Sequence, residues 1–302
     1  MHSRDKPVRC AMASAVGFVG LGAMGRPMAM NVMKTCKLVV FDQCEVTCEG
    51  FRKTGASYMP LAAMPSKASV ILMSLPASVT NSVLKELRPS LGAGHVIIDC
   101  STTSPALAKS AAELVISTGA DFLDAPVSGL PTRAADGTLT CMVGGDPSLL
   151  EVHKPILQSF SSQIFHVGPV GHGQLAKAIN NCMYNISIAA MAEMLPLSAR
   201  LGLPVGTMAD IVSSGSGSSF GFKQWAPMVL ERRFEKGLGY PMGPAEKDLI
   251  NVQTAAQEAG VEIGPVLRGA AATYTGALAM GFGEVHKGAM VRVHEERLGV
   301  QV

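Results

Sequence analysis

Six residues, Gly20-Leu21-Gly22-Ala23-Met24-Gly25, constrain this chain more than any others. They spell G-x-G-x-x-G and stand between an apolar run at 15–21 and a helix-forming stretch at 28–34. Between a strand and a helix, each glycine has its own use. Gly20 permits the tight turn, Gly22 lets the backbone approach a pyrophosphate, and Gly25 lets the helix pack on the strand. Leu21 and Met24 fill the variable places of the same loop. The free N–H groups of the helix start then face the phosphates. Residues 37–41, Lys-Leu-Val-Val-Phe, read as the next strand, and Asp42 ends it twenty residues after Gly22. A carboxylate there accepts hydrogen bonds from an adenosine ribose and repels a 2′-phosphate, so NAD is expected over NADP. The competing reading of Asp42 is a turn residue, or the cap of a helix beginning near Glu45.

The alternation continues. Residues 69–75 read as a buried strand ending at Pro76, 78–91 as a helix, and 95–99 as another strand. Ser104 suits the cap and Pro105 the first turn of the helix after it. Residues 122–127, 140–144 and 163–167 read as further strands, with a helix at 147–160. Strands alternating with helices imply a parallel, doubly wound α/β sheet, in which ligands bind beyond the carboxyl ends of the strands. Leu75, Pro76, Ser101 and Thr102 stand at such ends and are candidate cofactor contacts. Each alone fits ordinary loop chemistry equally well. At another strand exit, Ser128 and Gly129, followed by Leu130, can turn several backbone N–H groups toward one point. That is an anion nest, fit for a carboxylate, or else a plain turn.

The second half shows no strand pattern and reads as all-α. Its entry is Gly171-His172-Gly173-Gln174-Leu175-Ala176-Lys177-Ala178-Ile179-Asn180-Asn181, leading into a helix that runs to about Arg200. Pro196 should kink or end that helix. Lys177 and Asn181, four apart, share one helix face among small and apolar neighbours. The plain alternative is a surface lysine near a helix start. Further helices are expected at 207–213, 224–234, 244–259 and 264–279.

A length of 302 residues gives room for two domains, here 15–172 and 173–302 after a basic extension at 1–14. That extension is either a disordered tail or a short mitochondrial presequence. With 48% apolar and 16% charged residues and a net charge of +2, neither disorder nor a nucleic-acid surface is indicated. No apolar run is long enough to span a bilayer. Seven cysteines, odd in number and without a C-x-x-C pair, read as reduced and intracellular, with no metal site. The expected location is mitochondrial or cytoplasmic, not secreted.

Four motifs in order resemble the β-hydroxyacid dehydrogenase family. They are Gly-Phe-Val-Gly-Leu-Gly-Ala-Met-Gly from Gly17, Asp-Ala-Pro-Val-Ser-Gly from Asp124, Gly171-x-Gly173-x-x-x-Lys177-x-x-x-Asn181, and Lys247-Asp248-Leu249. The resemblance runs from about residue 16 to residue 290. It implies an N-terminal Rossmann domain, a long helix leading into an all-α domain, and homodimers or homotetramers. It also implies that Ser128, Gly129 and Leu130 bind a small carboxylate substrate, Lys177 is the catalytic acid/base, Asn181 holds the substrate, and Lys247 lies beside the cofactor. The implied reaction is hydride transfer between NAD and a small 3-hydroxy acid, of the 3-hydroxyisobutyrate type known from valine catabolism, to the semialdehyde. The alternatives are a reductase of semialdehydes or imines working mainly with NADPH, and a non-catalytic dinucleotide-binding module. Imine reductases usually lack the helix lysine, and a non-catalytic module should have lost it. The phosphogluconate branch has a longer helical domain.

The chain departs from the family pattern. Leu130 and Arg133 stand where the family has glycine. Leu130 resists positive φ, which puts the shape of the nest in doubt. Arg133 is a solvated loop residue or, alternatively, a holder of a second anionic group. Close relatives of 3-hydroxyisobutyrate dehydrogenase carry a tryptophan soon after the loop at 213–215. This chain has a single tryptophan, Trp225, so the pocket wall differs.

Overall fold

A computed structural model describes residues 15–239 and 241–302. The reading of residues 1–14 as a tail or presequence lies outside them. The chain divides into two compact units between Lys177 and Ala178.

The first unit is built on one sheet. Its strands are β1 (Ala15–Val19), β2 (Leu38–Phe41), β3 (Ser57–Tyr58), β4 (Ala68–Met73), β5 (Val96–Asp99), β6 (Asp121–Asp124), β7 (Val127–Ser128), β8 (Leu139–Gly144) and β9 (Ser161–Gly168). They lie in the order β3-β2-β1-β4-β5-β6-β8-β7, with β9 paired to β8. Pairing is parallel from β3 through β6. Successive side chains enter opposite cores. Val70 and Leu72 belong to one, Ile71 and Met73 to the other. Burial on both faces explains why these strands read as continuous apolar runs.

The helices between them are α1 (Gly25–Met33), α2 (Glu45–Lys53), α3 (Ala77–Leu87), α4 (Pro105–Ile116), α5 (Pro131–Ala135) and α6 (Pro147–Leu157). Ser104 caps α4 by accepting from the Leu107 N–H at 3.1 Å, as the sequence leads one to expect. The strand order reverses between β2 and β4 on either side of β1. That is the switch point where such sheets bind ligands.

The sheet is not wholly parallel. β8 runs antiparallel to both β6 and β7. The run expected as one strand at 122–127 is broken at Ala125–Pro126, because Pro126 has no N–H to give a ladder. Its carbonyl still accepts from the Met142 N–H at 3.1 Å.

The division of units falls inside α7 (His172–Arg200). After it come α8 (Val205–Ser214), α9 (Phe220–Leu230), α10 (Gly243–Glu258), α11 (Pro265–Ala279) and α12 (Val291–Leu298). The second unit closes on its own core, with Ile188, Leu195, Trp225, Tyr274 and Met290 fully or almost fully buried. α7 runs to Arg200 as expected, and of the two outcomes expected at Pro196, ending the helix does not occur. Met191, Ala192 and Leu195, just before it, are buried, and that packing holds the helix through a residue that removes one of its hydrogen bonds. α9 starts four residues earlier than the sequence suggests. Ser219 caps it by accepting from the Phe222 N–H at 3.0 Å. Among the described residues no helix is long and apolar enough to cross a membrane.

Candidate active site

The glycine loop after β1 has the shape its sequence requires. Gly20 has φ +91°, and a Cβ there would lie 2.3 Å from the Ser74 carbonyl oxygen. A Cβ on Gly25 would lie 2.0 Å from the carbonyl oxygen of Gly20. Around Gly22 nothing comes within 4 Å of such an atom. The first and third glycines are thus fixed by contact inside the protein, and the second leaves open space beside the backbone, where a pyrophosphate would approach. Met24 is half-buried and stands just before α1.

This loop opens into a cleft of about 470 Å³, lined in part by Gly20, Gly22, Asp42, Gln43, Leu75, Pro76 and Glu86. Asp42 is not the side-chain cap of α2; Cys44 holds the cap position. Its Oδ1 accepts from the Cys44 N–H at 2.8 Å, while its Oδ2 accepts from the Leu21 N–H at 2.6 Å. The carboxylate therefore ties the glycine loop to the end of β2 and still borders the cleft. A carboxylate offers about four acceptor sites, which leaves capacity for a ribose. A 2′-phosphate in this cleft would meet the Asp42 carboxylate.

Beyond β4 and β5 the strand ends are laced together. The Leu75 N–H donates to the Ser101 hydroxyl oxygen at 2.9 Å, and the Ser101 N–H donates to Asp99 Oδ1 at 3.0 Å. Thr102, next along, is exposed. Asp99 and Asp124 are register partners on β5 and β6, and both are fully buried. Burial pushes the Asp99 carboxyl up to about 6, against hydrogen bonds from Ser101 and with the charge of Asp124 adding to the rise. Burial also raises Asp124. Its oxygens accept from the Gly171 N–H at 2.8 Å and the Gln174 N–H at 2.9 Å. Asp124 thus satisfies N–H groups at the start of α7 that have no partner within the helix. Gly173 makes this close approach possible, since a Cβ there would lie 2.6 Å from the Met142 carbonyl oxygen.

Lys177 follows on the next turn and is only 9% exposed, so the surface-lysine reading does not hold. Asn181 stands one turn further along α7. In the second unit its amide donates to Asp248 Oδ2 at 2.9 Å. Lys247, beside Asp248 on α10, is exposed.

Ser128, Gly129 and Leu130 are all half-buried. Gly129 has φ +141°. Leu130 takes φ −88°, an extended conformation open to any residue, so its replacement of glycine introduces no strain. Arg133 is exposed, and its guanidinium donates to the Thr138 carbonyl of its own loop.

Asp99 and Gln174 were not marked by the sequence, and Asp124 only as the first residue of a motif, without a role. Asp99 did carry a signal, since it ends the apolar run read as a strand at 95–99; Asp124 ends β6 only once Pro126 breaks the run read at 122–127. Gln174 carried none.

Residues 15–168 match the family model described as the NAD binding domain of 6-phosphogluconate dehydrogenase. Residues 171–294 match that described as NAD-binding of NADP-dependent 3-hydroxyisobutyrate dehydrogenase. The chain is 34% identical over 300 residues to 2-(hydroxymethyl)glutarate dehydrogenase of Eubacterium barkeri, covering 95% of this chain and 97% of that protein. It is 36% identical over 254 residues to a NAD-dependent L-serine dehydrogenase of Pseudomonas aeruginosa, covering 80% and 85%. A solved structure of Mycobacterium tuberculosis 3-hydroxyisobutyrate dehydrogenase with L-serine superposes with a TM-score of 0.81 at 28% identity, covering 93% of this chain and 99% of that one. These relatives share one reaction type and differ in the acid they take. With the glycine loop, the cleft and both halves of the chain in agreement, this protein belongs to the β-hydroxyacid dehydrogenase family and is a NAD-dependent hydroxyacid dehydrogenase.

Proposed function

We propose that the protein reversibly oxidises a small 3-hydroxy acid, of the 3-hydroxyisobutyrate type, to the corresponding semialdehyde. The observation that carries this reading is Lys177. A buried amine stands one turn into a helix whose first N–H groups are held by Asp124, three residues after Gln174, which binds the Ser101 carbonyl.

Bound NAD supplies the hydride acceptor in oxidation and the donor in reduction. The chain's own groups do the rest. Backbone N–H groups at Ser128, Gly129 and Leu130, with the Ser128 hydroxyl, hold the substrate carboxylate. The Lys177 amine, in its neutral form, takes the hydroxyl proton on Nζ and returns it in the reverse direction. Asn181 orients the hydroxyl or carboxylate, so that the reacting carbon stays close to its partners. Lys247 flanks the cofactor. The buried lysine speaks against the imine-reductase and non-catalytic readings.

A dicarboxylate reading is favoured by the likeness to 2-(hydroxymethyl)glutarate dehydrogenase. Arg133 does not support it, being tied back to Thr138. A homodimer or homotetramer, mitochondrial or cytoplasmic, goes with the family.

The test is a panel of 3-hydroxyisobutyrate, L-serine, 2-(hydroxymethyl)glutarate and 4-hydroxybutyrate with NAD, read as NADH absorbance. Highest kcat/KM on a small 3-hydroxy monoacid is the expected result. Preference for the glutarate derivative selects the dicarboxylate reading. No turnover of any acid, together with NADPH-driven reduction of a cyclic imine, would sink both.

A further inference from the structure

Three residues before Lys177, Gln174 is 1% exposed and uses both ends of its side-chain amide. Its Oε1 accepts from the Thr103 N–H at 2.9 Å, and its Nε2 donates to the Ser101 carbonyl at 2.8 Å. Its backbone N–H donates to Asp124. The Ser101 hydroxyl, in turn, accepts from the Leu75 N–H. One side chain thus joins the first turn of α7 to the loop after β5, and through Ser101 to the loop after β4. Leu75 lines the cofactor cleft.

An apolar side chain of equal volume would fill the space and leave a buried N–H and a buried carbonyl without partners. The amide satisfies both groups, and in doing so it fixes the register between α7 and the two loops. A proton carrier needs that register, because a misplacement of about 1 Å can cost about 100-fold in rate.

We propose that Gln174 is a positioning residue: it fixes the register of Lys177 against the Leu75 and Ser101–Thr103 loops, and so the spacing between the amine and the cofactor. The proposal rests on the reading of Lys177 as the proton carrier.

The test compares wild type, Gln174→Met and Lys177→Ala, with L-serine and 3-hydroxyisobutyrate as substrates and NAD as oxidant, well below the unfolding temperature. Gln174→Met should lower kcat by about 10–100-fold and leave KM and the NADH Kd within about twofold of wild type. The isotope effect for substrate deuterated at the carbinol carbon should rise, since the chemical step becomes slower. Without cofactor, amide exchange at Thr103 and along 171–177 should quicken, which reports the broken tie independently of activity. If exchange quickens while kcat stays within about threefold of wild type, the tie is only structural and the proposal falls. Unchanged exchange overturns it as well. Should Gln174→Met not fold, Gln174→Asn, which keeps the amide but is one methylene shorter, takes the same readings. Full activity in Lys177→Ala, or no turnover of either acid by wild type, would instead remove the functional reading beneath it.

Discussion

Asp42 accepts a hydrogen bond from the Leu21 N–H at 2.6 Å, across 21 residues of chain. A residue read from the sequence as a ribose contact is also the clamp on the glycine loop. Asp42→Ser with Gln43→Arg should move preference toward NADP, by removing the charge that meets a 2′-phosphate. It should also weaken NADH binding by roughly 10–100-fold, as a hydrogen bond to a charged group contributes about 1.5–3 kcal/mol. Fluorescence titration and kcat/KM with both cofactors measure the two effects. Equal or better turnover of NADP by wild type would leave Asp42 with the clamp alone.

Lys177→Ala should lower kcat by about 10²–10⁴-fold, the usual worth of a general acid/base, with NADH binding nearly unchanged. Lys177→Arg should not rescue, because a guanidinium keeps its proton near neutral pH. Oxidation needs the neutral amine, so wild-type kcat/KM should rise with pH through one ionisation that the alanine variant lacks. A variant retaining more than about a tenth of wild-type kcat would make the lysine structural.

Asp99 ties stability to pH. Its carboxyl is raised from 3.8 to about 6 by burial, so the folded state holds the proton longer than the unfolded one. Stability from this group is full below the unfolded value and is lost as pH rises through about 6. The loss is on the order of 3 kcal/mol at most. Urea unfolding of Asp99→Asn against wild type should show a difference that grows in the variant's favour from about pH 4.5 to about pH 7.5. A flat difference would mean an ordinary carboxylate.

Gly173→Ala forces a Cβ to within 2.7 Å of Asp124 Oδ2 and 2.8 Å of the Asp124 carbonyl oxygen. Overpacking of this kind costs about 1–3 kcal/mol, and Tm should fall by roughly 2–4 °C for each kcal/mol. Gly206→Ala, on α8 with nothing within 4 Å, is the control and should hold or gain stability. A Gly173→Ala protein with unaltered Tm and kcat would show that α7 can move aside freely.

Arg133→Ala should leave KM within a few-fold on the best acid, since the guanidinium serves the Thr138 carbonyl of its own loop. A large rise in KM at constant kcat would mean that it binds substrate in ground and transition state alike.

The parts of this site that were legible in the sequence are those set by local sterics. The need for glycine at 25, the cap at Ser104 and the helix spacing from Lys177 to Asn181 all follow from residues a few places apart, and at 20 the positive φ is local although the Ser74 contact is not. Leu130 was misjudged because φ depends on the path of the chain, and here the residue is extended before Pro131. The reversal at β8 hung on one proline inside an apolar run. The start of α9 was hidden in a serine-rich loop with several equivalent caps. Gln174 was invisible for a different reason: its partners lie 71 and 73 residues away, and no local pattern records them.

The anchored start of α7 has one more consequence. A helix turns by about 100° and advances about 1.5 Å with each residue. Since Gly173 and Gln174 are held to the strand ends, the azimuth at which Lys177 leaves the helix is set by a count of three residues. A single insertion between Gln174 and Lys177 would swing the amine by more than a quarter of a circle without disturbing any side chain of the cofactor cleft. The interval behaves like a gear tooth: its length, and not only its residues, sets where the amine points.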